Sequence, residues 1–179
     1  MPRFFAFLRA INIGGHVVKM DRLRQLFESL DFSHVETYIA SGKVIFVTGL
    51  LDSHALEDRI EGRLKEALGY AVPTFIRTPQ ELAAIAIYQP FPPAQFAAAA
   101  AYNVAFLKQP LDQPSQFKLQ ALRTELDDFR VHQRELYWLC RVRQSQSKFS
   151  NAVLEKTTSQ SSTLRGMNTI LKLVERYPA

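Results

Sequence analysis

The pattern of apolar and polar positions in the first half of the chain predicts a strand–helix–strand–strand–helix–strand order. In residues 3–10 and 44–48 both alternating sets of side chains are apolar, as in central strands that are covered on both faces. The second helix ends at a glycine, where a C-terminal glycine cap belongs. The predicted elements are a strand at 3–10, a helix from Met20, strands at 35–39 and 44–48, a helix from Asp52 to Gly69 and a strand at 72–77.

The clearest local signal lies at residues 78–81. Thr78 can accept a hydrogen bond from a free amide of the following helix, and Glu81 can accept one from the Thr78 amide, which together form a capping box. Pro79 suits the first helical position because its ring fixes a helical backbone angle. We therefore predict a helix over about 79–88.

The same order of elements recurs after a stretch rich in proline and alanine at 90–101, without a letter-for-letter repeat. In the first helix of this second half we expect Phe117, Leu122 and Leu126 to face inward. The predicted elements are strands at 102–107, 129–132 and 136–140, and helices at 115–126, 147–158 and 167–176.

This order predicts an α+β protein built from two ferredoxin-like βαββαβ halves packed into one compact unit. We place the first half at 1–89, the connection at 90–101 and the second half at 102–179. The helices of such a half cover only one face of its sheet. The other half or a second subunit must therefore cover the apolar second face. A homo-oligomeric scaffold is one functional hypothesis, and a monomer by sedimentation would count against it.

Composition narrows the class of protein. The 179 residues are 47% hydrophobic and 22% charged, which is typical of a folded domain. Arg9 interrupts the N-terminal apolar run too early for a signal peptide, and the lone Cys140 cannot form an internal disulfide. We predict a cytoplasmic protein without membrane association.

The net charge is +5, and residues 130–179 carry nine Lys/Arg against three acidic residues, which favours an anionic partner.

Three stretches of the sequence resemble one bacterial family of unknown function, the DUF1697 family. They are Leu8–Gly15, Thr37–Phe46 and Ser147–Lys156, in the family's order and spacing, and the similarity runs from near residue 3 to about 175. The resemblance implies a pair of ferredoxin-like units and brings no activity. The family usually has glycine at position 10 and asparagine at 43. The chain departs from the family pattern at Ala10, Lys43, Gly166 and Met167, so a ligand of the family would be bound there differently or not at all.

Glycines, cations and small polar side chains are predicted to meet at one end of the first sheet. In a βαββ unit the end of the first strand and the turn of the next hairpin lie together. Two cations beside hydroxyl, amide and glycine backbone groups suit a phosphate or carboxylate. Alternatively, the glycines serve tight turns and the arginine pairs with a local acid. The candidate ligand-binding residues are Arg9, Asn12, Gly14, Gly15, Ser41, Gly42 and Lys43.

A second candidate is a basic region in the last third of the chain. Ser147 is a natural N-cap for the predicted helix, and Lys148 and Asn151 would then share a helical face. This region could contact an anion or a nucleic acid, and a capped helix with a solvated basic flank is the alternative. The candidate residues are Arg141, Arg143, Ser147, Lys148, Asn151, Arg165 and Asn168.

No catalytic constellation is recognisable, so the catalytic residues are unknown. Cys140 ends an apolar strand and is expected to be a core residue. The four histidines lack metal-ligand spacing, and no serine-nucleophile elbow, P-loop or dinucleotide fingerprint is present. We expect no metal and no cofactor.

Our first functional hypothesis is a non-catalytic binding protein for a phosphate-bearing anionic partner, either a nucleotide-like ligand or nucleic acid. The alternatives are an enzyme that acts on a small anionic metabolite in the same pocket, and the scaffold described above. A deep, closed cavity would favour the enzyme, and a broad basic groove would favour nucleic acid.

Overall fold

The computed structural model of the protein describes residues 1–12, 14–38 and 42–179. Across these residues the chain divides into two compact units, Met1–Leu82 and Ala83–Pro178. Each unit contains one four-stranded antiparallel sheet, which confirms the predicted α+β class and the two ferredoxin-like halves. The predicted bounds of the halves and of their connection stay a prediction. Among the helices of the described ranges, none combines the length and apolar character needed to cross a bilayer.

The first unit contains β1 (Arg3–Leu8), α1 (Met20–Glu28), β2 (Ser33–Thr37), β3 (Lys43–Val47), α2 (Ser53–Leu68), β4 (Thr74–Arg77) and the start of α3 (Pro79–Ile87). Its strand order is β2-β3-β1-β4. Both alternating sets of side chains in β1 are buried after its first residue, as predicted for a central strand. One set, Phe4, Ala6 and Leu8, belongs to the core that includes the buried faces of α1 and α2.

The second unit contains the end of α3, α4 (Pro93–Ala98), β5 (Ala101–Leu107), α5 (Gln113–Gln120), β6 (Asp127–His132), β7 (Glu135–Cys140), a 3-10 turn (Gln144–Gln146), α6 (Asn151–Thr158), β8 (Ser162–Gly166) and α7 (Met167–Arg176). Its strand order, β6-β7-β5-β8, repeats that of the first sheet. Every residue of β7 is buried, including Glu135 at its start. Trp138, Phe129 and Leu154 belong to its helix-side core.

The two units also repeat individual hydrogen bonds. The last amide of the central strand donates to the hairpin turn in both, from Leu8 to the Gly42 carbonyl at 2.8 Å and from Leu107 to the Arg134 carbonyl at 2.9 Å. These equivalent bonds align the central strands of the two units residue by residue.

A second repeated bond aligns the edge strands. The Thr74 amide donates to the Glu61 carboxylate at 2.8 Å, and the Ser162 amide donates to the Glu155 carboxylate at 3.0 Å. In each unit the acceptor lies on the helix that precedes the edge strand, α2 or α6, and the donor is the first residue of that strand. Thr74 and Ser162 are therefore equivalent, and so are the residues that follow them in β4 and β8.

The predicted capping box is confirmed. The Thr78 amide donates to the Glu81 carboxylate at 2.8 Å, and the Glu81 amide donates to Thr78 Oγ1 at 3.1 Å. The predicted glycine cap of α2 is also confirmed, because Gly69 has a φ of +83°, in the left-handed region.

The predicted burial in the first helix of the second half is wrong for Phe117 and Leu126, whereas Leu122 is partly buried against the helix-side core. Asp112 caps α5, which ends at residue 120, and this register buries Leu119. Phe117 is 82% exposed, and Leu126 lies beyond the helix and is 43% exposed. The helix starts and ends earlier than the predicted range 115–126, because the aspartate caps it from position 112.

Two elements, α4 and β8, were absent from the predicted order. Half of the six residues of α4 are alanine and only Phe96 is large and apolar, which gives no apolar periodicity. Strand β8 reads Ser-Thr-Leu-Arg-Gly, which is short and mostly polar. Periodicity therefore had no signal to detect in either segment.

The capping box predicts a measurable contribution to stability. Thr78→Ala should lower the free energy of unfolding by about 1 kcal/mol, because it leaves a helix amide without its acceptor. Urea denaturation measures the change, and Thr78→Ser, which keeps the hydroxyl, is the matched control. Equal losses in both variants would mean that packing of the threonine methyl, rather than capping, stabilises this helix start.

Candidate functional site

The first sheet brings part of the first candidate set together. Leu8, the last residue of β1, donates its amide hydrogen to the Gly42 carbonyl at 2.8 Å. Lys43 pairs with Phe7, the residue before Leu8. Arg9 directly follows β1, so it leaves the strand beside Gly42 and Lys43. Ser41 lies outside the described residues.

The remaining members of that set lie in the loop after β1. Asn12 Oδ1 accepts a hydrogen bond from the Val18 amide at 2.9 Å, which gives the asparagine a structural role in the loop. Gly14 and Gly15 have φ values of +68° and +82°, in the region that glycine adopts without strain. Ala10, where the family usually has glycine, also has a positive φ, +55°.

The prediction that Ser147 caps a helix is wrong. The N-cap of α6 is Ser150, whose Oγ accepts from an amide of the first turn at 3.3 Å. Ser147 Oγ instead lies 2.8 Å from the buried carboxylate of Asp127 and donates to it, because a buried charge needs polar partners. Lys148 precedes the helix and does not share a turn of it with Asn151.

The other members of the second candidate set lie at different places. Asn151 Nδ2 donates to the Ser162 carbonyl at 2.9 Å and its Oδ1 accepts from the Ser162 hydroxyl at 2.7 Å, which joins α6 to β8. Arg165 is half-buried, and burial lowers its pKa to about 10, so the side chain stays protonated at neutral pH. Arg141 lines a separate cavity of about 380 Å³, and Arg143 is exposed.

The only cysteine of the chain is a core residue, as predicted. Cys140 is fully buried, and burial raises the pKa of its thiol. Within the described ranges, no group of three His, Cys, Asp or Glu residues is arranged to hold a metal ion.

An open cavity lies in the second unit, where β8 ends and α7 begins. Its volume is about 450 Å³, within the range of roughly 300–1,000 Å³ that is usual for small-molecule sites. The described residues that line it include no Asp, Glu, His, Cys, Lys or Arg. Its polar lining residues are Tyr88, Gln89, Tyr102, Asn103, Gln144 and Asn168.

Helix α7 begins at this cavity without a side-chain cap. Its N-cap is Gly166, which has no side chain to accept hydrogen bonds from the amides of the first turn. Gly166 lies four residues after Ser162, and Thr78 lies four residues after Thr74. Because Ser162 and Thr74 are equivalent, Gly166 and Thr78 occupy equivalent positions. The start of α3 is therefore capped by its own side chains, whereas the N-cap residue of α7 provides no side-chain cap. Gly166, Met167 and Asn168 line the cavity.

Asn103 adds a buried polar group at the same place. It pairs with Gly166 across β5 and β8, lines the cavity and is only 6% exposed. Its Nδ2 makes no hydrogen bond within the part of the chain that the structure describes. A buried donor without an acceptor costs about 1–3 kcal/mol, so natural proteins rarely keep one without a reason.

The hydroxyl of Tyr102 is a second buried donor in the lining. It too makes no hydrogen bond among the described residues. Burial, with a smaller contribution from Tyr88, raises the pKa of this hydroxyl above its ordinary value. The group therefore stays protonated at physiological pH and is a hydrogen-bond donor in a residue that lines the cavity.

Of the predicted site residues, only Asn168 lies among those that line this cavity. The cavity was missed because it depends on the pairing of two strands far apart in the sequence. Two signals were present in the sequence. Asn103 is a polar residue inside an otherwise apolar strand, and Gly166 stands directly before an amphipathic helix.

Comparisons with known proteins agree with this architecture of two ferredoxin-like halves. A family model described as "Protein of unknown function (DUF1697)" matches residues 1–137, and the chain therefore belongs to this family. The stretches Leu8–Gly15 and Thr37–Phe46 lie within the match, and Ser147–Lys156 lies beyond it.

A solved structure, that of the conserved bacterial protein SP0830 from Streptococcus pneumoniae, is similar over 98% of both chains. The TM-score is 0.75 at 21% sequence identity, which shows a shared fold. A search of curated proteins found no match.

The burial of Cys140 predicts a thiol that is inert in the native protein. A thiol reagent at pH 7 to 8 should modify it slowly, since burial both blocks access and raises the thiol pKa. Absorbance with a chromogenic disulfide measures the rate, and the same protein in denaturing urea is the control. Rapid, complete labelling without urea would contradict a closed core around β7.

Proposed function

We propose that this protein binds, without catalysis, a small ligand that carries an anionic oxygen group such as a phosphate, in the cavity beside α7. The proposal is carried by one observation: the buried Nδ2 of Asn103, which makes no hydrogen bond among the described residues, lies next to the start of α7, whose N-cap residue provides no side-chain cap. Free amides at a helix N-terminus carry partial positive charge and bind phosphate or carboxylate oxygens. One anionic oxygen group of a ligand could accept hydrogen bonds both from the Asn103 side chain and from the amides at the start of α7.

The first unit provides a precedent for this chemistry. At the equivalent helix start, the carboxylate of Glu81 accepts a hydrogen bond from the N-cap amide of Thr78 at 2.8 Å. At α7 the position of that glutamate is occupied by Thr169, which has no anionic group. In the proposed complex the ligand supplies the anionic oxygen that the protein itself supplies at α3.

The size and lining of the cavity favour a small ligand over nucleic acid. Binding of nucleic acid depends on rows of Lys and Arg, and the described lining of this cavity is neutral. The same lining gives little support to the enzyme hypothesis, because its described residues include two tyrosines but no carboxylate, imidazole, thiol or amine for acid–base or nucleophilic catalysis. A binding protein is the function that these side chains support best.

We also propose a cytoplasmic location. The free Cys140 suits a reducing compartment, where an unpaired thiol persists. Cell fractionation that recovers the protein outside the cytoplasm would contradict this part of the proposal.

Two substitutions at one position test the site. Gly166→Ser introduces a hydroxyl that caps α7, so it should compete with the ligand and weaken binding of AMP, used as a phosphate-bearing probe, about tenfold or more. Gly166→Ala adds the same Cβ, 3.9 Å from Asn103 Oδ1 and thus in ordinary contact, but cannot cap. We expect the alanine variant to keep its affinity within about threefold. Isothermal titration calorimetry measures both.

A double variant separates this site from the end of β1. Arg9→Ala with Lys43→Ala removes the two cations of the first candidate set and should leave AMP affinity nearly unchanged. Thermal unfolding checks that the fold is intact. If the double variant abolishes binding and Gly166→Ser does not affect it, the ligand binds at the end of β1 and the proposed cavity is wrong.

A further inference from the structure

The cavity has an aromatic wall that a bare anion would not use. Tyr88, Phe96 and Tyr102 line it. The rings of Phe96 and Tyr102 lie 5.0 Å apart and nearly perpendicular, at 77°. Tyr88 stacks on His132 at 4.3 Å and packs against Tyr137 at 5.0 Å. These contacts within the second unit hold the wall in place, so its orientation does not depend on a ligand.

The polar groups of the cavity are spread over more space than one anion fills. Tyr102 and Asn103 are successive residues of β5, and successive side chains of a strand point to opposite faces of the sheet. Both line the cavity, which reaches the edge of β5 where the pairing with β8 ends, at Asn103 and Gly166. A ligand that bonds to both donors must span this edge.

The two donors would bind different parts of such a ligand. Asn103 lies beside the start of α7, where an anionic group is favoured. The Tyr102 hydroxyl belongs to the aromatic wall and has no acceptor among the described residues. An acceptor atom in a planar ring that packs against the wall would satisfy it.

We infer that the ligand is a mononucleotide, with its phosphate at the start of α7 and its base against the wall formed by Tyr88, Phe96 and Tyr102. This inference rests on the proposed function and adds the base to it. Every base has an aromatic face and hydrogen-bond acceptors, so purines and pyrimidines both fit these requirements. The cavity volume of about 450 Å³ leaves room for a base and a sugar beside the phosphate.

Calorimetry with the full chain tests the inference through the parts of a nucleotide. The probes are AMP, UMP, adenosine and ribose 5-phosphate. We expect AMP and UMP to bind at least about tenfold more tightly than ribose 5-phosphate, which lacks the base, and than adenosine, which lacks the phosphate.

Variants of the aromatic wall give the second readout. Tyr88→Leu removes the ring and should weaken AMP binding about fivefold or more while leaving ribose 5-phosphate unaffected. Tyr88→Phe keeps the ring and is the matched control. Tyr102→Phe removes only the hydroxyl and should weaken AMP binding by a factor of about 2–10.

The outcomes separate the inference from the function on which it rests. If ribose 5-phosphate binds as tightly as AMP and Gly166→Ser weakens both, the protein binds phosphate and the assignment of the base is wrong. If adenosine binds as tightly as AMP and Gly166→Ser has no effect, the anion site is wrong, and the mononucleotide with it. If none of the four probes binds, both proposals fail.

Discussion

The polar end of the cavity depends on one constraint, the direct passage of β8 into α7. Gly166 is both the last residue of the strand and the N-cap of the helix. Its pairing with Asn103 fixes the first turn of the helix beside a buried amide of the central strand. Because sheet hydrogen bonds set this geometry, the helix start and the amide are positioned without any loop. Sites on strands and helices are held more precisely than sites on loops.

The internal duplication shows what is particular to this helix start. Both units have a central strand, an edge strand and a following helix in equivalent positions, aligned by the same backbone and glutamate hydrogen bonds. In the first unit Thr78 and Glu81 cap the helix. In the second unit the N-cap is Gly166, which has no side chain to cap the equivalent amides.

Local sequence signals predicted the fold well because they act over a few residues. The capping box at Thr78 and the left-handed Gly69 are such signals. The central strands are apolar in both alternating sets of side chains, which by itself indicates that both faces are buried. The order of elements then gave the two halves. Segments without periodicity, such as α4, were not predicted. Phe117 was wrongly predicted to be buried because Asp112, outside the predicted range, sets the start of its helix.

The candidate site was harder to predict because it is made by contacts between distant residues. Ser147 reads as a helix cap in isolation, but a buried carboxylate twenty residues away takes its hydroxyl. Asn103 and Gly166 each give a signal in the sequence, but only the register of β5 and β8 makes them neighbours. A single sequence contains the residues of such a site without the pairing that assembles them.

The central claim is that Asn103 is kept for a ligand at a cost in stability, and Asn103→Leu tests it most directly. Leucine has a similar size and no polar group, so it removes a buried donor that has no acceptor in the described residues. Urea denaturation without ligand should give an unfolding free energy that is unchanged or higher by about 1 kcal/mol, while AMP binding is lost. A variant that is clearly less stable, or that still binds AMP with native affinity, would contradict the account.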